Sequence, residues 1–138
     1  MNLYGKNTVS SVVSIKKEDD RVTDGFCQVT GEVDYGDALS FEEVGDAELA
    51  LRREIEEAMH DMGAEHLDFD TSGDMLSFES GFFSRPEGIA HQLCDRLAPY
   101  FRLDMRGRIV VLERNLAPLI VFSLMNGSVK RLEIDVFS

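Results

Sequence analysis

The chain has no tryptophan, three prolines and two cysteines in 138 residues, and no apolar run of the ~18 residues that a membrane-spanning helix needs. Scarce proline and ordinary apolar content exclude an extended proline-rich or wholly disordered chain. Cys27 and Cys94 belong to no CxxC motif, and both are expected as buried thiols, ahead of a disulfide or a nucleophile. The opening Met1-Asn2-Leu3-Tyr4-Gly5-Lys6 holds no hydrophobic stretch suited to a signal peptide, and a cytoplasmic protein is expected. There is no Walker loop, dinucleotide fingerprint, nucleophile elbow or zinc spacing. No catalytic, cofactor-binding or metal-binding residue is therefore assigned.

Positive charge is the other shortage. Fourteen basic residues stand against 26 acidic ones, a net charge of −12. Residues 18–79 hold 20 of the 26 and only Arg21, Arg52 and Arg53, a local balance of −17. Such a field opposes nucleic-acid backbones and anionic lipid and favours basic partners. The arginines that cluster late, Arg102, Arg106, Arg108 and Arg114, interleave with Asp104 and Glu113, so pairing with the acidic half is expected of them, not phosphate binding.

What is present reads as one α+β domain over residues 1–138, which is about the modal domain size. A strand is expected over residues 8–16, and a second over 25–35 with Cys27, Val29, Val33 and Tyr35 on one face. Gly31 marks a candidate bulge. Residues 36–45 read as a loop: Ser40 and Glu43 have capping-box spacing, but Gly45 stands against a helix begun there. Helix is expected over 46–62, from the stripe Ala47, Ala50, Leu51, Ile55, Ala58, Met59 and Met62, and Gly63 ends it. Ser84-Arg85-Pro86-Glu87 has the form of a helix start, followed by the stripe Ile89, Ala90, Leu93, Cys94, Leu97 and Phe101. The order ββαββαβββ implies an antiparallel sheet with both helices on one face, a ferredoxin-like core extended by an N-terminal strand and a C-terminal hairpin.

Asp68-Phe69-Asp70-Thr71-Ser72-Gly73-Asp74-Met75-Leu76-Ser77-Phe78-Glu79 has the oxygen spacing of a calcium loop, but its flanks lack the two helices. A hairpin with Ser72-Gly73 as its turn explains more residues, pairing Phe69 with Leu76 and Leu67 with Phe78. His66, Asp68 and Glu79 would then be polar neighbours. A solvated surface group is the expectation for them, ahead of a metal or acid–base cluster.

At the end of the chain, Asn126-Gly127 between apolar runs predicts a type I′ hairpin with Met125 facing Ser128, Phe122 facing Arg131, Val121 facing Leu132 and Leu119 facing Ile134. Leu119, Val121, Leu132, Ile134 and Val136 are expected beneath the helices. That leaves Ile120, Phe122, Leu124, Val129 and Phe137 uncovered, as a protein-contact surface or dimer interface. Together with Glu48, Glu56, Asp68, Asp70 and Glu79 they form the expected partner-binding set. The functional expectation is a non-enzymatic acidic interaction module, an inhibitor or neutraliser that engages a basic surface of a partner protein, such as a nucleic-acid-binding site. It would need no cofactor and touch neither nucleic acid nor membrane. The alternative is a small enzyme or ligand-binding protein with a pocket between the sheet and the loop 36–45.

Overall fold

The computed structural model describes residues 27–72, 75–83, 88–113 and 118–135. The strand expected over 8–16, the helix start at 84–87, Arg114, Val136 and Phe137 lie outside them. The described order is β1 (Cys27–Asp34), α1 (Phe41–Met62), β2 (His66–Ser72), β3 (Met75–Phe82), α2 (Ile89–Leu97), one 3₁₀ turn (Ala98–Tyr100), β4 (Arg106–Glu113), β5 (Leu119–Met125) and β6 (Ser128–Ile134). The six strands make one antiparallel sheet in the order β2-β3-β1-β4-β5-β6. The class is α+β.

β1 is central because its alternation serves two neighbours at once. Cys27, Val29 and Val33 are buried, while Gln28, Thr30, Glu32 and Asp34 face the other way. No bulge occurs at Gly31, which pairs in unbroken register with Phe78 on one side and Ile109 on the other. The glycine is required because the Phe78 ring occupies the place of its Cβ.

α1 begins at Phe41, five residues before the expected start, so residues 41–45 are helix and not loop. The Ser40 hydroxyl accepts from the Glu43 N–H at 3.1 Å, and the Glu43 carboxylate accepts from the Ser40 N–H at 2.8 Å. This reciprocal box outweighs Gly45, since an interior glycine costs only about 1 kcal/mol against alanine. Gly63, at φ 84°, ends the helix as its sequence suggests. α2 runs from Ile89 behind Gly88, which offers no side-chain cap. Its stripe of Ile89, Ala90, Leu93, Cys94 and Leu97 is buried, as is Phe101 beyond it.

The helices are tied to each other by Arg96. Its guanidinium donates to Glu54 at 2.7 Å and to Asp61 at 3.0 Å, and the Tyr100 hydroxyl donates to Glu54 at 3.1 Å. Buried side chains of both helices and of one sheet face form a single apolar core.

Two hairpins correct the expected details. In β2–β3 the register is Phe69 with Phe78 and Leu67 with Ser80, not Leu76 and Phe78, so Ser72 belongs to β2 and pairs with Met75. The shift sets two aromatic rings opposite one another, with centroids 6.5 Å apart, and keeps each side chain on its expected face because the displacement is even. In β5–β6 the four expected pairings are all present. The turn is not type I′, since Gly127 is at φ 77° while Leu103 is the one non-glycine at positive φ among the described residues.

Candidate functional site

Register alone decides which face of the closing hairpin is covered. β4 lies between β1 and β5, and its inward residues Ile109 and Val111 stand opposite Phe122 and Ile120. Phe122 and Leu124 are consequently buried on the helix side, each 1 % exposed, and Ile120 packs against the same core. Val129, opposite Leu124, also points to that side but lies at the sheet edge and is exposed, as expected of it. The expectation that Ile120, Phe122 and Leu124 are uncovered is thus reversed. Both faces of this hairpin are apolar, so alternation within it could not choose between them; the pairing with β4 chooses.

The residues expected in the core are those left open. Leu132 is 58 % exposed and Ile134 38 %, while Leu119 and Val121 are half-buried. They belong to the sheet face opposite the helices. One row across that face runs Asp68, Glu79, Thr30, Val110, Val121, Leu132, and the next runs Asp70, Ser77, Glu32, Arg108, Ser123, Lys130. The face therefore divides into two halves. On β2, β3 and β1 it is carboxylate-rich, and on β4, β5 and β6 it carries the apolar strip Val110, Leu112, Leu119, Val121, Leu132 and Ile134. A shallow groove of about 570 Å³ runs over both halves.

Ion pairs mark the seam. The Arg108 guanidinium donates to Glu32 at 2.5 Å and Arg106 to Asp34 at 3.3 Å, which is the pairing expected of this arginine cluster. Asp34 also accepts the Gly36 N–H at 2.9 Å. Glu79 accepts a hydrogen bond from the Gln28 amide. Asp68, directly opposite Glu79, and Asp70 have solvent in front of them.

The acidic members of the expected set do not share a surface. Asp68, Asp70 and Glu79 are brought together on the open face, whereas Glu48 and Glu56 belong to α1 on the opposite side. Glu48 lies 3.7 Å from Arg52, and Arg52 stacks on the Phe69 ring at 4.6 Å from its centroid, which fastens α1 to β2. Phe137 lies outside the described residues.

Chemistry-bearing groups are dispersed. The His66 ring packs over Gly81, where a Cβ would clash with it, while Asp68 lies one row further along. Among the described residues no three His, Cys, Asp or Glu side chains stand close enough to hold a metal ion. The loop after β1 borders a separate hollow lined by Asp34, Asp37, Asp104 and Arg106. Its Asp104 carboxylate already accepts the N–H groups of Asp37 at 2.9 Å and Ala38 at 3.3 Å, which holds its pKa below the usual aspartate value. His66 lies at the other end of the sheet, about 20 Å away at some 3.3 Å per strand residue, so the histidine and this hollow do not form one pocket. Burial pushes the Cys94 thiol up to about 12, and Cys27 is buried as well. Among the described residues no helix is long and apolar enough to cross a membrane.

The surface feature that sequence reasoning missed is the apolar strip. Its signal was present in β4: alternation of Arg106 and Arg108 with Ile109 and Val111 fixes which side of β4 is inward, and an antiparallel partner must follow it. Compared with protein-family models, curated proteins and solved structures, the chain gives no match to any of them.

Proposed function

We propose that this chain is a non-enzymatic protein-interaction module whose open sheet face engages a basic surface of a partner protein. Its action would be that of an inhibitor or neutraliser, for example by covering a nucleic-acid-binding site. The observation that carries the reading is the division of the uncovered face, with Asp68, Asp70 and Glu79 grouped on its outer strands. Exposed carboxylates, Asp68 and Asp70 facing solvent and Glu79 holding the Gln28 amide, attract lysines and arginines over several ångströms and steer association in a salt-dependent way. A net charge of −12 adds a long-range attraction for the same class of partner.

The scaffold for this role is read as ferredoxin-like, β1-α1-β2-β3-α2-β4, with the β5–β6 hairpin added beyond β4. The proposed setting is the cytoplasm. Affinity capture at low salt with the full chain as bait tests the proposal. The expected result is a basic protein that elutes as salt rises; capture of nothing, or of a partner indifferent to salt, contradicts it.

A further inference from the structure

The groove of about 570 Å³ on the open face has two walls of different chemistry. One holds Asp68, Asp70 and Glu79, and the other holds Val110, Val121, Leu132 and Ile134. Thr30 is the short side chain between them, in the row that runs from Asp68 to Leu132. Arg108 borders the groove with its charge already met by Glu32, and Lys130 lies outside the lining. A partner that is only basic leaves the apolar wall wet. One that is only apolar takes the carboxylates out of water without pairing them. An occupant that satisfies both walls carries cations along one flank and aliphatic side chains along the other.

We propose that the partner element seated in this groove is an amphipathic α-helix lying along β1 and β4, with lysines or arginines on its flank toward β2 and aliphatic side chains on its flank toward β6. The inference rests on the basic partner proposed above and names its form. Glu79 on β3 and Val121 on β5 stand three strands apart, roughly 14 Å at about 4.8 Å per strand. A helix is about 10–12 Å across with its side chains, so it reaches both walls at once. An extended segment does not, because only every second side chain points at the sheet, in single file.

Length follows from the rows. The lining spans three of them, from the row of Leu119 and Ile134 to the row of Asp70, Ser77, Glu32 and Arg108. Along the strands that is about 13 Å at some 3.3 Å per residue, which about nine helical residues cover at 1.5 Å each. Cations on the flank toward β2 then face Asp68, Asp70 and Glu79, so the carboxylates and the apolar strip are engaged by the same element.

Three synthetic peptides of about 12 residues, binding to the full chain at low salt by fluorescence anisotropy, test the arrangement. The first sets lysines on one helical flank and leucines on the other, the second scrambles the same residues, and the third replaces every leucine by alanine. The patterned peptide is expected to bind about tenfold tighter than either of the others and to gain helical circular dichroism on binding. Leu132→Asp should weaken the patterned peptide about tenfold while leaving the lysine–alanine peptide at least as tight, since it adds a negative charge beside the groove. Ile134→Ser repeats the test without a charge, so the reading survives a variant that fails to fold. Equal binding of all three peptides, weakened by Asp68→Asn/Asp70→Asn/Glu79→Gln, overturns the helix and leaves the basic partner standing. Binding indifferent to salt and to those three substitutions overturns both. No binding by the patterned peptide, as residues 1–26 or a second copy covering the face would give, also overturns the helix.

Discussion

Phe122 on β5 meets the His91 ring of α2 nearly at right angles, with centroids 5.4 Å apart. The contact joins the closing hairpin to the helical layer and makes Phe122 a core residue. Truncation to alanine is expected to cost about 3–5 kcal/mol, as for other buried phenylalanines. Leu132→Ala, on the far side of the same hairpin, should change the stability of the isolated chain by less than about 0.5 kcal/mol. Urea titration distinguishes the two, and equal losses would contradict the assignment of faces.

Two glycines are expected to respond to alanine with opposite signs. Gly45 lies within α1 with open space where a Cβ would go, so Gly45→Ala should stabilise by about 0.5–1 kcal/mol through helix propensity. At Gly31 the Phe78 ring fills that space, and Gly31→Ala should destabilise by about 1–3 kcal/mol through overpacking. Thermal midpoints measured side by side give both signs.

The dependence on pH follows from carboxylates held below their usual values. A hydrogen bond from Arg96 is the main cause at Glu54, the Ser40 N–H at Glu43, and the Asp37 N–H at Asp104. Each binds fewer protons folded than unfolded. Their stabilisation is complete above the ordinary carboxylate range and is lost as pH falls through the lowered folded values. Arg96→Gln should flatten the acid limb of a stability–pH profile while leaving its neutral plateau the less stable of the two. An unchanged acid limb would contradict this account of Glu54.

Both cysteines are buried, and burial keeps the Cys94 thiol protonated throughout the neutral range. Neither is expected to react with a thiol reagent until the chain unfolds. An Ellman titration of the native protein should therefore read close to zero, rising to two thiols in denaturant.

The sequence was legible where one residue pattern had one solution. The alternation of β1 around Cys27, Val29 and Val33 could be satisfied only by a sheet core, and the α1 and α2 stripes each had one apolar side. Asn126-Gly127 fixed a register without fixing a turn type, because pairing depends on loop length and turn type on the individual φ values. Legibility failed where two solutions were close in energy. Gly45 argued against a helix that the Ser40–Glu43 box supports, and a preference of about 1 kcal/mol is easily outweighed by packing. The hairpin of β5 and β6 is apolar on both sides, and its orientation is set by β4, a contact that no local pattern contains. The same ambiguity misplaced the candidate surface: acidic residues close in sequence, such as Glu56 and Asp68, lie on opposite sides of the sheet.

Location, as opposed to net charge, is the central claim, and one comparison isolates it. Asp68→Asn/Asp70→Asn/Glu79→Gln neutralises three carboxylates on the open face, and Glu42→Gln/Glu56→Gln/Glu57→Gln neutralises three exposed ones on α1. Both variants change the net charge equally. Used as baits at low salt beside the unmodified chain, the open-face variant is expected to lose the basic partner and the α1 variant to retain it. Equal loss by both, or loss confined to the α1 variant, would contradict the account.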